Sequence, residues 1–531
     1  MRDNVDVIYS GGSNMAKQKK EKSFEEALWD SCDSLRGSVE PAEYKHVVLS
    51  LIFLKFVSDK FERRKEEIIN EGYEKFINQP SFYMSKNVFY LPEKSRWSYI
   101  LENAKQDDIS IKIDTALSEI EKNNKSLKGA LPDNYYSRLN LDKTKLASLL
   151  DEINKINTLK DEENDIIGRV YEFFLKKFAL QEGKGKGEFY TPKSVVNLIC
   201  ELIKPYKGKI YDPACGSGGM FVQSMKFVES HNGNRNDISI YGQEYIRTTY
   251  KLAKMNLAIR GISADLGEHE ADTFLNDQHK DLKADYIMAN PPFNQKKWRA
   301  EDQLVDDERW QGYDTPPPGN ANYGWILNMI SKLSSDGVAG FLLSNGSLTG
   351  SDAEYKIRKK IIENDLVEAI FSLPTNLFYT TDISVSLWII NKNKKAKIDD
   401  NFKYRARENE VIFFDLRKFG SPYEKKYLEL TEKDINKISE DFTNWRTTDG
   451  YQSYKDTNEY CRAVNIDEIK ENNYSLAPSR YIKLNDRNSK SEFKEDLEDI
   501  VSKLNEDLKS EKTNLEEINE IFKEFGYELE I

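Results

Sequence analysis

Little in this sequence can clip a fold together, hold a metal or cross a membrane. Four cysteines (Cys32, Cys200, Cys215, Cys461) are scattered through 531 residues with no CxxC pair. That argues against a disulfide framework or a zinc ribbon and fits the reducing cytoplasm. Only four histidines occur, none at metal-ligand spacing, so no metal is expected. The longest apolar run, residues 47–57, is broken by Ser50 and Lys55. It is too short to span a bilayer, and no secretory leader is evident, so no membrane partner is expected. Positive charge is also short: 78 Lys and Arg against 90 Asp and Glu leave a net charge of −12. A chain that holds nucleic acid alone carries a basic surface. Contact with DNA or RNA here needs local cations or a partner that supplies them. Material for a core is not missing, since 29 Tyr and 26 Phe argue against disorder. The length gives room for roughly three domains.

Residues 1–14 differ in composition from the rest, and Met15 reads as the natural start. Ser23 to Glu26 fits a capping box. Helical spacing over 41–76, 98–122, 143–158 and 164–180 predicts an all-helical N-terminal domain over 15–180. The Gly/Lys-rich stretch 181–187 is a linker and not a P-loop, because no G-K-[ST] follows. Thr191 is placed as N-cap and Pro192 as first residue of a helix running to about residue 206.

From there strands and helices alternate as in a doubly wound sheet, over a catalytic domain assigned to 181–400. Strands are expected at 209–212, 238–243, before 270, and at 284–289, 338–343, 366–373 and 385–391. Helices are expected from about 220 and over 245–260, 322–334 and 352–363. Residues 401–482 read as a mixed extension with one clear strand at 411–416. In the tail, 483–531, Leu497, Val501, Leu504, Leu508, Leu515, Ile518 and Phe522 follow a heptad rhythm, with Glu511 in one core slot. This coiled-coil-like helix would pair within the chain or with another subunit.

Chemistry concentrates at strand ends. Asp212 opens a glycine turn, Asp212-Pro213-Ala214-Cys215-Gly216-Ser217-Gly218-Gly219, which lets a ligand approach the backbone. Glu244 follows the second strand, where a carboxylate accepts a ribose diol. Asp272 is read as ending the third strand, where it could accept from an adenine amino group. After the fourth strand comes Asn290-Pro291-Pro292-Phe293. Two prolines end the ladder, and the residue before a proline is held extended, so a polar Asn is fixed on a stiff turn at a carboxyl strand end. Successive acids suit a ligand with a cationic head, a ribose and an adenine, the parts of S-adenosylmethionine.

In this order the motifs resemble the modification subunit of type I restriction-modification systems, an N6-adenine DNA methyltransferase. The similarity covers most of residues 15–480 and includes Tyr474 to Tyr481 before the tail. The resemblance implies a Rossmann-like α/β methyltransferase sheet with S-adenosyl-L-methionine as cofactor. Glu188, Phe189, Tyr190, Thr191, Pro192 and Lys193 would line its methionine end. Gly216, Ser217, Gly218 and Gly219 would meet it through backbone, with Asp212 on the ammonium group, Glu244 on the ribose and Asp272 near the adenine. Position 188 is Glu where many relatives have Gln, and Cys215 replaces a smaller residue. Asn290 and the Pro291 carbonyl would accept the N6 hydrogens of a flipped adenine, Phe293 would stack on it, and Pro292 completes the turn. The irregular segment 294–320, with Trp298 and Trp310, would close over the base or be disordered. Implied partners are double-stranded DNA, a specificity subunit that reads it, a second modification subunit, and a restriction subunit for cleavage. The alternatives are a protein glutamine N5-methyltransferase, a DNA clamp without catalysis, and a cytosine N4 enzyme. The N-terminal helices and C-terminal extension count against the first, and the intact Asn290 turn counts against the second.

Overall fold

A computed structural model describes residues 41–139, 141–156, 166–182, 191–378, 383–424 and 427–484, with 25, 26, 29 and scattered positions between 501 and 523. The capping box at 23–26 and the linker at 183–187, with Glu188, Phe189 and Tyr190, are not wholly within them. Helices of eleven residues or more are labelled, as are the strands of the main sheet.

The N-terminal third is helical. Helix α1 (Pro41–Asn70) is its axis, with α2 (Ile109–Asn123), α3 (Lys143–Asn154) and α4 (Ile166–Glu182) around it. Val48, Leu51, Ile52 and Phe56 of α1 are buried together with Leu117, Leu149 and Phe174. The expected helix 41–76 stops at Asn70, where Gly72 takes φ +82° to turn the chain. The expected helix 98–122 is two, Trp97–Glu102 and α2. Asn103 breaks it by bonding its side chain back to the Tyr99 carbonyl at 2.7 Å, as short polar residues do at helix ends.

The remainder is one nine-stranded sheet with helices on it. Its elements are α5 (Lys193–Ile203), β1 (Gly208–Asp212), α6 (Gly219–Ser230), β2 (Ile238–Gly242), α7 (Arg247–Ile259), β3 (Ala264–Asp265) and β4 (Ala284–Ala289). They continue with α8 (Asn322–Lys332), β5 (Leu333–Ser344), α9 (Asp352–Glu363), β6 (Val367–Ser372) and β7 (Val385–Asn391). Last come β8 (Glu410–Asp415), α10 (Glu432–Arg446) and β9 (Cys461–Asn465). The strand order is β9-β8-β6-β7-β5-β4-β1-β2-β3. Strands β1 to β5 pair in parallel with one another, and β7 runs antiparallel between β5 and β6. The order reverses between β1 and β4, which opens a crevice at their carboxyl ends.

Three expectations change. The third strand is only Ala264–Asp265, so Asp272 lies on a loop seven residues beyond it. Helix 322–334 ends at Lys332, and β5 begins at once with Leu333, five residues before the expected 338. The β5 extension is held by the pairing Ala284↔Leu333 across a bulge, a long-range contact that periodicity does not carry. Residues 401–482 add β8 and β9 to the sheet edge and lay α10 on α5, with Ser439 Oγ donating to the Glu201 carbonyl at 2.9 Å.

Two further findings concern the flanks. Leu252, Met255 and Ile259 of α7 belong to the core of the N-terminal helices. The Lys251 ammonium also donates to the Leu131 carbonyl at 2.7 Å, which seats the helical region on the helix behind the second strand. In the tail, the described positions are helical, and Val501, Leu504, Leu508 and Ile518 are 43–55% exposed, so the heptad seam is open at these four described positions. Among the described residues, no helix is long and apolar enough to cross a membrane.

Candidate active site

The crevice between β1 and β4 is a cavity of about 190 Å³. Strand tips and the loops after them build it. From β1 come Pro213, Ala214 and Gly216, from β2 Glu244 to Ile246, and from the loop after β3 Asp272 to Phe274. Asn290, Pro292 and Gln295 follow β4, and Trp325 comes from α8.

The Asn290 side chain is buried and half satisfied. Its Nδ2 donates to Thr191 Oγ1 at 2.9 Å, while its Oδ1 is buried with no hydrogen-bond partner. Leaving such an acceptor unpaired is costly unless a ligand completes it. Thr191 therefore has a role different from the expected one. Helix α5 starts at Lys193 with Pro192 as its cap residue and no side-chain cap bond. The Thr191 hydroxyl instead fixes the Asn290 amide, 99 residues away in sequence. Pro291 is buried and Phe293 half-buried, with its ring edge-on to Phe378 at 6.4 Å; neither lines this cavity. The exit of the turn is locked. Asn294, at φ +52°, accepts with Oδ1 from Asn322 Nδ2 and from Ser344 Oγ, both at 2.9 Å.

The glycine turn is drawn tight by backbone and acid. Cys215 N donates to the Gln243 carbonyl at 3.0 Å, and Gly218 N to the Cys215 carbonyl at 2.8 Å. Gly216 and Gly218 take φ +55° and +79°, the left-handed region that a side chain disfavours, and Gly219 opens α6. Glu244 accepts from Gly216 N at 3.0 Å and Ile246 N at 2.8 Å, so its carboxylate is held at the cavity wall. Ser217 and Gly218 lie behind the wall, where the Ser217 carbonyl accepts from Asn256 at 2.6 Å.

Asp212 sits beneath the turn, 1% exposed and outside the cavity lining, with Oδ1 accepting from Ala214 N at 3.0 Å. Burial pushes its carboxyl up to about 8, opposed by the Ala214 amide and helped by the nearby Glu244 charge. The same burial, with Asp212 and Glu244 beside it, raises the Cys215 thiol well above its usual range and keeps it neutral. Because the folded-state value lies above the usual 3.8, the folded protein holds the proton more tightly, and this group costs stability as pH rises from about 4 to about 8. Asp212→Asn is expected to remove that loss. Thermal midpoints measured without ligand should fall less for the variant than for the parent between pH 5 and 9.

Asp272 turns its Oδ1 to its own loop, accepting from Phe274 N at 2.8 Å and Leu275 N at 3.1 Å, yet it still borders the cavity. Phe274 forms the wall beside it. The segment 294–320, expected to close over the base or to be disordered, is packed. Trp298 and Trp310 are 4% and 2% exposed, and Phe274 lies 4.4 Å from Trp298 and 4.3 Å from Trp325 between ring centroids. Arg309 donates to the Thr273 and Phe274 carbonyls at 2.9 and 2.6 Å. Arg299 donates twice to the Pro316 carbonyl, at 3.1 and 2.8 Å. The segment is thus a packed brace that sets one wall of the cavity. Sequence reasoning missed Thr273, Phe274, Gln295 and Trp325. The aromatic two places after Asp272 was the available signal.

Comparison with known proteins gives the family. A family model described as N-6 DNA Methylase matches residues 162–490, and one described as HsdM N-terminal domain matches 24–155. The chain belongs to the N-6 DNA methylase family. It is similar to the type I restriction enzyme HindI methylase subunit of Haemophilus influenzae, 39% identical over 82% of this chain and all of that one. It is also similar to the MjaIX methylase subunit of Methanocaldococcus jannaschii, 36% identical over 95% of this chain and 92% of that one. Its fold matches the type I methyltransferase subunit of Streptococcus thermophilus at a TM-score of 0.70, with 23% identity over 86% of this chain and 99% of that one. This N-6 DNA methylase is therefore a type I restriction-modification methylase subunit, with the α/β sheet and N-terminal helices that the sequence implied.

Proposed function

We propose that this subunit transfers a methyl group from S-adenosylmethionine to the N6 amine of an adenine flipped out of duplex DNA. The observation that carries the reading is the buried, unpaired Asn290 Oδ1 at the mouth of a cavity bordered by Glu244 and Asp272. S-adenosylmethionine supplies the methyl group, on a sulfonium that leaves as a neutral thioether.

The residues present fit such a ligand. Glu244, anchored by two backbone amides, is set to accept from a ribose diol. Asp272 and the Phe274 ring stand where an adenine would be read and flanked. Asp212, costly to ionise alone, would ionise more readily beside a cationic head over the turn. Lys193, exposed at the start of α5, and the segment 188–190 would close the methionine end. The Asn290 amide, oriented by Thr191, and the Pro291 carbonyl would each accept one N6–H. That draws the amine towards tetrahedral geometry and frees its lone pair, and Phe293 would stack on the base. No residue has to remove a proton first, since the methylated amine is acidic and releases one to solvent. Flipping costs roughly a few kcal/mol.

The chain is acidic, so sequence reading falls to a separate specificity subunit. The exposed Val501, Leu504 and Leu508 seam is the surface proposed to dock on it, beside a second modification subunit, with a restriction subunit joining for cleavage. The test is long-read detection of modified bases in host cells with and without the gene. N6-methyladenine in a split motif should vanish with the gene; unchanged DNA methylation, or loss of N4-methylcytosine instead, would overturn the reading. Glu244→Ala is expected to weaken S-adenosylmethionine binding about 10- to 100-fold by calorimetry, the loss of a charge-assisted hydrogen-bond pair.

A further inference from the structure

A second polar site lies away from the Asn290 turn, beside the amino-terminal part of β1 and β4. Arg446, the last residue of α10, is 4% exposed, and its Nε and Nη2 are buried with no hydrogen-bond partner. Its guanidinium touches only rings, Phe442 at 4.6 Å and Tyr404 at 5.5 Å to the centroids. A second cation is close by. Lys204, in the left-handed conformation (φ +51°) that ends α5, holds its ammonium 4.6 Å over Phe402. Phe402 and Tyr404 are neighbours on one short hairpin, 5.9 Å apart. The two cations therefore face one aromatic floor. Burial first, and then the Arg446 charge, push the Lys204 ammonium down to about 8. The field of Arg446 also reaches the part-buried phenols of Tyr206, Tyr286 and Tyr404.

The acids nearby do not resolve this. Glu368 feels Arg446, but its two oxygens are taken by Arg407 Nε at 2.7 Å and Asn391 Nδ2 at 2.8 Å. Asp399 turns Oδ1 to its own hairpin, accepting from Asn401 N and Phe402 N at 2.9 and 2.7 Å. Glu201 raises Lys204 only weakly, after burial and Arg446 have lowered it. The carboxyl end of α10 favours a cation but supplies no hydrogen bond to the guanidinium. A buried guanidinium with two unused nitrogens is expensive unless an anion completes it. The donors gathered here, a guanidinium fork and an ammonium, outnumber the two oxygens of a carboxylate and suit a phosphate.

We propose that Arg446 and Lys204, over the Phe402 and Tyr404 floor, form a binding site for a phosphate group, free or esterified, separate from the methyl-transfer cavity. The test is calorimetry on the full chain with inorganic phosphate and with glycerol 3-phosphate, at constant ionic strength set by chloride. Saturable binding is expected, with the tighter ligand showing whether the site takes the free ion or an ester. Arg446→Met should weaken it at least tenfold, about 1.4 kcal/mol, without lowering the thermal midpoint in the absence of phosphate. Lys204→Met gives a second, half-buried position at which the same loss is expected if the first variant folds poorly. Absence of saturable binding by the parent protein overturns the proposal. So does binding that both variants retain.

Discussion

Asn290→Ala is expected to slow methyl transfer by about 10²- to 10³-fold, the range seen when one preoriented polar group is removed from an active site. The side chain is 8% exposed, its Nδ2 is committed to Thr191, and its Oδ1 is buried with no hydrogen-bond partner. Truncation therefore deletes an acceptor that acts on the amine while leaving Glu244 and Asp272 in place. Single-turnover methylation of DNA should show the loss in the chemical step, with S-adenosylmethionine affinity within a few-fold of the parent. Thr191→Val should fall between the two, because the amide keeps its position but loses its orienting partner. A parent-like rate for Asn290→Ala would remove this residue from the mechanism.

Glu368→Ala is expected to cost about 3–5 kcal/mol of stability, because it strands a charge in the sheet. Arg407 and Glu368 are 1% and 0% exposed and meet at 2.7 Å between β6 and the segment before β8. Burial pushes the Glu368 carboxyl up, but Arg407, Arg446 and the bond from Asn391 outweigh it and hold it below 4.5. The pair therefore stabilises fully above about pH 4.5 and loses its contribution as pH falls through the lower folded-state value. Urea or thermal denaturation at pH 7 should show the loss. The double replacement Glu368→Met with Arg407→Met should recover most of it, since no unpaired charge remains. A single variant as stable as the parent would show that the pair contributes nothing.

The main expectations for the sheet were legible because strand ends carry their own signals. Pro291 and Pro292 end β4, and the glycines at 216–219 mark the turn into α6. Both depend on backbone freedom, a property of residue type. Asp272 was misplaced because β3 is only two residues long, too short for a period to show. The sequence 461–465 was unreadable as a strand for a related reason. CRAVN has no apolar alternation, and its place at the sheet edge follows from pairing with β8, 47 to 55 residues earlier in the chain. Trp298 and Trp310 read as part of a closing or disordered segment because their shared partner, Phe274, lies in another segment.

By itself the sequence determined the order of the motifs, the stiff corner at Asn290 and the alternation that builds a doubly wound sheet. These are local matters, decided by proline, glycine and the spacing of apolar residues. Only the tertiary structure decided which atoms face one another. It set Thr191 against the Asn290 amide, placed Asp212 beneath the turn, and brought Arg446 and Lys204 to one aromatic floor. Those pairings join residues tens to hundreds of positions apart, and packing and desolvation choose them, so no local pattern records them.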